Sequence, residues 1–323
     1  MVRVVGWVTL FLLLIIVGLP AVLVRGLDFA PPPIEPESEP VIVNLLLPGG
    51  SVERIPLEEY VKGVVAAEMP TSFHMEALKA QAVVARTYAV RRLREKGDTG
   101  AALHPEADLT ADPSVDQAYV SKDEARARWG IFTFRQRWAR VEVAVDSTKG
   151  LIVTYDSIVI DPVYHSTSGG YTENSEDVWQ EALPYLRSVP CPWDSHSPYY
   201  KDTMQVEYDR LAMLLGDVPV EALAASAEPI QVMEASSTGR VKSIRVGDRT
   251  LSGREFRSLL GLRSTLFSWR LTPEGVVFTT TGFGHGVGMC QYGADGMARE
   301  GRDFRSIIKY FYKGVEIVPA FGG

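Results

Sequence analysis

A single glutamate, Glu68, sits at the end of an apolar stretch and two residues before Pro70. Leu57, Tyr60, Val61, Val64 and Val65 recur at the spacing of one helical face. Pro70 stops that helix, because proline lacks an amide donor and restricts the residue before it. A carboxylate in the last turn gains nothing from the helix dipole, which favours cations there, and its neighbours Ala66, Ala67 and Met69 disfavour its charge. Both effects raise its pKa, which is what a general acid needs near neutral pH. From position alone, an ordinary solvated helix-end glutamate is the better fit.

Arg86 and Tyr88 lie in the middle of a second helical stretch, from about His74 to Lys96, with Thr71 or Ser72 as its N-cap. Ala77, Ala80, Ala82, Ala85 and Ala89 leave this helix little side-chain bulk, so other elements can approach its backbone. Alanines and valines precede Arg86, and an arginine on an apolar stretch needs a buried acceptor or an anionic ligand. Both options stay open. Further on, Gly282 to Ala298 (GFGHGVGMCQYGADGMA) packs five glycines into 12 residues around His285, Cys290, Gln291 and Tyr292. That density permits positive φ, so the segment reads as a shaped loop running into a helix. It lacks the Gly-Lys-Ser/Thr ending of a phosphate loop. Val163 to Asp194 is dense in small polar and aromatic residues, as in an exposed loop or the wall of a cleft. Its Tyr164, Tyr171, Trp179, Tyr185 and Trp193 offer flat faces that pack on sugar rings or in a core.

The elements that position these residues read as α+β, with helices and antiparallel β segments in two lobes flanking a cleft. A strand is expected near Val41 to Val43, and a charged helix at Ser121 to Arg128. β-rich segments at Val141 to Asp146 and Leu151 to Val159 are joined by a hairpin at Thr148-Lys149-Gly150. Residues 199–270 read as an inserted α+β lobe holding a helix from Tyr208, strands at Ile230 to Ala235 and Val241 to Val246, and a helix near Arg254. The core is then 41–198 plus 271–323, ending in helices from Ala294 to Tyr312.

Val4 to Val24 carries no charge over 21 residues, a length of about 31 Å as a helix, and Leu19 to Gly26 offers no Ala-x-Ala cleavage site. An uncleaved anchor over 1–27 is expected, with the N-terminus cytoplasmic and the folded part outside. The linker 28–40, with five prolines and three glutamates between Phe29 and Pro40, reads as a stiff spacer. The chain has 323 residues, 46% of them hydrophobic, so most of it folds. Its 33 Lys and Arg against 40 Asp and Glu give a net charge of -7 and no footprint for nucleic acid. Two cysteines, Cys191 and Cys290, form no disulfide scaffold.

Three ordered segments, VVAAEMP to ARTYA (Val64 to Ala89), HSTSGGYTENSEDVW (His165 to Trp179) and GFGHGVGMCQYGA (Gly282 to Ala294), closely resemble the stage II sporulation protein D family of endospore-forming bacteria. The likeness extends from about Val41 to Val318, and the anchor and spacer fit it. It implies a lytic transglycosylase that cuts peptidoglycan strands already stripped of stem peptides by a partner amidase. Glu68 would protonate the bond between N-acetylmuramic acid and N-acetylglucosamine, then deprotonate the muramic C6 hydroxyl to leave a 1,6-anhydro ring. Sequence offers Glu68 no acidic neighbour except Glu58 and Glu59, about three turns back on the same helix. By the same likeness Arg86 and Tyr88 line the cleft, Ser166, Ser168 and Tyr171 form the opposite wall, and His285 and Gln291 complete it. No cofactor is implied. The partners implied are a sporulation amidase and membrane scaffold proteins, at the mother-cell membrane of the sporulation septum.

Some relatives hold zinc through histidines and cysteines just before the motif that is Gln117-Ala118-Tyr119 here. This chain keeps His104 but has Thr110, Val115 and Asp116 where soft ligands would stand, so no zinc is expected in that loop. Cys191 and Cys290 lie outside it and could pair. Two rival classes remain. One is a thiol peptidase using Cys290 with His285 or His165, and the other a glycan-binding protein that recruits other wall enzymes.

Overall fold

The computed structural model describes residues 40–94, 104–216 and 229–320. The chain divides into two units, Met1–Pro40 and Val41–Gly323, and the elements below belong to the second. The expected anchor and spacer lie outside the described residues, apart from Pro40. Among the described residues no helix is long and apolar enough to cross a membrane.

The fold is α+β. It opens with the hairpin β1 (Ile42–Leu46) and β2 (Val52–Pro56), which runs directly into α1 (Leu57–Glu68). Met69 is extended and Pro70 follows, so the helix ends at Glu68. The next helix, α2 (Met75–Arg94), is the axis of the main core. Its alanines at 77, 80, 82, 85 and 89 are all fully buried. Their small side chains let other elements pack against this one helix on several sides. β3 (Leu109–Thr110) joins β1 in parallel, and the loop after it crosses α1 at Gly63. A Cβ on Gly63 would lie 2.2 Å from the Tyr119 ring and 2.7 Å from the Val120 carbonyl. Only glycine admits that crossing.

α3 (Lys122–Trp129) starts on a capping box between Ser121 and Glu124 and ends at Gly130, whose φ is +74°. It turns at once into α4 (Ile131–Asp146). This corrects the expectation of a strand over Val141 to Asp146: the segment closes a helix that buries Trp138, Val141, Ala144 and Val145, a face with the 3.6-residue period. Thr148-Lys149-Gly150 accordingly leads from a helix into β4 (Leu151–Tyr155) and is no hairpin. β4 lies between β5 (Ile158–Val159) and the C-terminal β16 (Glu316–Pro319), antiparallel to both.

The segment from 163 to 194 contributes β6 (Tyr164–His165), β7 (Gly170–Tyr171), α5 (Ser175–Val178) and β8 (Pro190–Cys191). A second, smaller core follows, with Val206, Leu211, Ile244, Phe256 and Phe278 among its members. It is framed by two antiparallel sheets and two helices: β9 (Lys201–Glu207), α6 (Tyr208–Leu214), β10 (Ile230–Ala235), β11 (Val241–Val246), β12 (Arg249–Ser252), α7 (Gly253–Leu260), β13 (Phe267–Thr272) and β14 (Gly275–Thr281). The chain then returns through β15 (Met289–Cys290), α8 (Gln291–Arg299) and α9 (Phe304–Phe311). β15 pairs in parallel with β6, setting Met289 opposite Tyr164 and Cys290 opposite His165. That short pair brings the second and third sequence motifs side by side.

Candidate active site

A cleft of about 1120 Å³ opens between the end of α1, the loop after β3, the strand β6 and the start of α8. Glu68 lines it. The crossing at Gly63 carries the loop to the end of α1, where the Ala118 N–H donates to Glu68 Oε1 at 2.8 Å. Burial pushes the Glu68 carboxyl above the ordinary carboxylate range. This outweighs the opposing pull of the Ala118 N–H and, beyond it, of the nearby Tyr164 and Gln291 side chains. No carboxylate is among the causes. The cleft does hold acids that sequence order hid, namely Asp116, Asp161 and Glu181. Asp116 is already engaged, accepting from the Tyr88 hydroxyl at 2.6 Å and the Thr110 N–H at 2.9 Å.

Behind Glu68 the polar groups are chained together. The Tyr164 hydroxyl donates to Gln117 Oε1 at 3.1 Å, and the Gln117 amide donates to the Tyr60 hydroxyl and the Ala85 carbonyl, each at 3.3 Å. Gln291 is the exception. It is the first residue of α8, only 6% exposed, and its buried Nε2 is near enough to Glu68 to pull on the carboxyl but completes no hydrogen bond. A buried amide donor left unpaired costs about 1–3 kcal/mol, so this one is available to a ligand in the cleft beside Glu68.

The structure sorts the residues expected here. Tyr88, Ser166, His285 and Gln291 line the cleft with Glu68. Arg86, Ser168 and Tyr171 do not, which corrects the expectation for all three. Arg86 is fully buried. It forms a two-pronged ion pair with Glu58, at 2.9 Å from Nε and 2.6 Å from Nη2, and donates to the carbonyls of Leu151 and Val145. It ties α1 to α4 and β4 in the core. Ser168 is also fully buried, with its N–H and hydroxyl both donating to Asp194 Oδ2 at 2.7 Å. Tyr171 is 55% exposed and away from the cleft lining.

His285 has a structural duty. The Val287 N–H donates to its Nδ1 at 3.0 Å, so the proton sits on Nε2, which donates to the Tyr164 carbonyl at 2.9 Å. Burial pushes its pKa down to about 4, with Arg240 contributing, and the ring stays neutral. His285 thereby locks the backbone of β6 in place.

Cys290 is fully buried and does not line the cleft. As N-cap of α8 its Sγ accepts from the Gly293 N–H at 3.2 Å, and it lies 3.5 Å from Asp194 Oδ2. Burial pushes its thiol far up, the opposite of what a nucleophilic thiolate needs. His165 also stays neutral, its pKa driven down by burial, and its Nδ1 faces the Val287 carbonyl at 3.1 Å. The thiol peptidase reading therefore has no activated nucleophile. Cys191 and Cys290 are both free thiols, and their sulfurs lie with an Asp194 oxygen within 4.8 Å of one another.

Sequence reasoning passed over the Ala118 N–H, Tyr164 as a neighbour of Glu68, and Trp129 on the cleft wall. Gly63 was the available signal for the first, since a glycine inside an otherwise good helix marks a close approach.

Residues 49–155 match the family profile described as SpoIID, stage II sporulation protein. The chain belongs to that family. It is 43% identical over 270 residues to stage II sporulation protein D of Bacillus subtilis (strain 168), covering 84% of this chain and 76% of that protein. The Bacillus amyloliquefaciens protein of the same name is 42% identical with the same coverage. A more distant relative, 25% identical over 307 residues and 40% of its own length, is the amidase enhancer of Bacillus subtilis.

Proposed function

We propose that this sporulation protein is a lytic transglycosylase of peptide-stripped peptidoglycan, with Glu68 as its acid and then its base. The protonated carboxyl gives its proton to the glycosidic oxygen as the bond from the muramic C1 breaks. The C6 hydroxyl of the same muramic residue then attacks C1 and returns its proton to Glu68. Water does not enter the balance, and the product ends in a 1,6-anhydro ring. A hydrolase that divides acid and nucleophile between two carboxylates would need a second free carboxylate beside the bond. Asp116 is already engaged by Tyr88 and Thr110, which leaves Asp161 and Glu181 as the cleft carboxylates such a hydrolase would have to use.

The observation that carries this reading is the partly buried Glu68 carboxyl, held above its ordinary pKa in a large cleft beside the unpaired Gln291 amide. Gln291 and Ser166 would hold sugar hydroxyl or acetamido groups, and Trp179 would offer a ring to stack on. The apolar N-terminal segment would anchor the unit to a membrane, and an amidase would supply the stripped strands. The test is incubation of the protein with stripped strands and mass analysis of the soluble fragments. Anhydro ends that disappear in Glu68→Gln support the reading, reducing ends point to a hydrolase, and uncut strands that bind point to a glycan-binding protein.

A further inference from the structure

The end of α1 opens on two cavities. Besides the Glu68 cleft there is a groove of about 460 Å³ beyond Met69 and Pro70, and Ala66, Met69, Pro70 and Trp129 line both. Its lining flanks Glu68 in the chain, with Ala66 on one side and Met69 to Ser72 on the other. Its frame is fixed. Arg140 donates to the carbonyls of Thr71 and Phe73, each at 2.7 Å, which pins the turn between α1 and α2. Trp129 is held in an aromatic cluster, with ring centroids 6.3 Å from Phe134 and 6.5 Å from Trp138.

Arg137 lies on the same wall, its guanidinium carbon 5.9 Å from the centre of the Trp129 ring. It is exposed, and among the described residues no carboxylate pairs with it. An aromatic ring beside a guanidinium that no carboxylate pairs with suits a ligand that is a flat apolar ring on one side and an anion on the other. On a glycan strand the ring is a sugar. If the stem peptide has been removed, the lactyl group of each muramic residue ends in a free carboxylate. If the peptide is present, that group is a neutral amide.

We propose that the groove is a further binding site for the strand, where Trp129 stacks on a sugar and Arg137 binds the lactyl carboxylate of a stripped muramic residue. The proposal rests on the transglycosylase reading for its ligand but not for its test. The site makes the enzyme favour stripped strands by charge. It also lets a strand pass Glu68 into the groove, so cutting can occur within a chain.

The test uses the full-length Glu68→Gln protein in detergent, with calorimetric titration of two glycan octasaccharides. One is peptide-stripped, and the other is the same fragment with its lactyl carboxylates converted to methylamides. The stripped fragment is expected to bind about tenfold more tightly, in keeping with a charge-assisted hydrogen bond. Arg137→Ala on that background should remove about fivefold to tenfold of affinity for the stripped fragment and almost none for the amidated one. Circular dichroism checks that the variant is folded, and Arg137→Lys should recover part of the difference. If the parent binds both fragments alike, or Arg137→Ala binds the stripped one as well as the parent does, the proposal is overturned. Binding is read without turnover, so a failure of the transglycosylase reading would show separately, as strands left uncut by the protein with Glu68 intact.

Discussion

Glu68 and Cys290 are both acidic groups that burial has pushed up in pKa, and they come from two of the three motifs that mark the family. Their surroundings differ in one respect. Cys290 lines neither of the two cavities, although Asp194 Oδ1 beside it is buried without a hydrogen-bond partner. The Gly293 N–H points at the sulfur, and Asp194 Oδ2 already accepts from the Ser168 N–H and hydroxyl and the Gly169 N–H. Glu68 instead faces a cleft of about 1120 Å³, with the Gln291 amide unpaired beside it. A raised pKa by itself marks burial. Joined to space and an unsatisfied donor, it marks a place where a ligand belongs.

The sharpest way to break that contrast is to remove each proton in turn. Glu68→Gln keeps the shape and an acceptor for Ala118 but cannot give up a proton. It should lower kcat on stripped strands by about a hundredfold to ten-thousandfold, measured as release of anhydro-ended fragments. Cys290→Ser should leave that rate close to the parental value. An equal loss from both variants would erase the distinction.

Next in size is Arg86→Ala. It leaves Glu58, whose side chain is only 21% exposed, without its partner. A loss of about 3–5 kcal/mol in denaturant unfolding is expected, as for breaking other buried pairs. Arg86→Lys should lie between, because an ammonium lacks the planar fork. The folded fraction of either variant should still cut strands. A collapse of kcat in fully folded Arg86→Lys would instead place Arg86 in the chemistry.

These cases show which parts of the molecule could be seen in the chain. α1 was legible because its apolar spacing and Pro70 agree on where it ends. α4 was not, because Val141, Val143 and Val145 alternate like a strand. The helix instead buries Val141, Ala144 and Val145 and leaves Val143 52% exposed. Its start was hidden too, since Gly130 provides no side-chain cap. Of the residues the motifs single out, Tyr88, Ser166, His285 and Gln291 line the same cleft as Glu68. Motif membership did not separate them from Arg86 and Ser168, which serve the core. That distinction depends on long-range partners, Glu58 for one and Asp194 for the other. The backbone contact from Ala118 has no side-chain signature at all.

A smaller effect is expected for Cys290→Ser. The serine hydroxyl can still donate to Asp194 and cap α8, but it is smaller than the thiol in a closely packed place, where a Cβ on Gly293 would come within 2.4 Å of the Cys191 sulfur. Thermal unfolding should register a loss of about 1 kcal/mol. A loss several times larger would mean that the thiols hold more of the fold together than their hydrogen bonds account for.

The smallest effect is also the most specific to Glu68. Its folded-state pKa is raised above the value of an unfolded glutamate. As pH climbs past that unfolded value, about 4.3, the unfolded chain gives up the proton before the folded one does. The stability that the carboxyl contributes is therefore complete at low pH and is lost as pH rises through the raised pKa. Glu68→Gln has no proton to lose. It should match the parent near pH 4 and become the more stable of the two by pH 7, by about 1.4 kcal/mol for each pKa unit of the shift. Denaturant midpoints at a series of pH values test this. Parallel curves for parent and variant across that range would mean that Glu68 is solvated like any surface carboxylate, and the contrast with Cys290 would lose its physical basis.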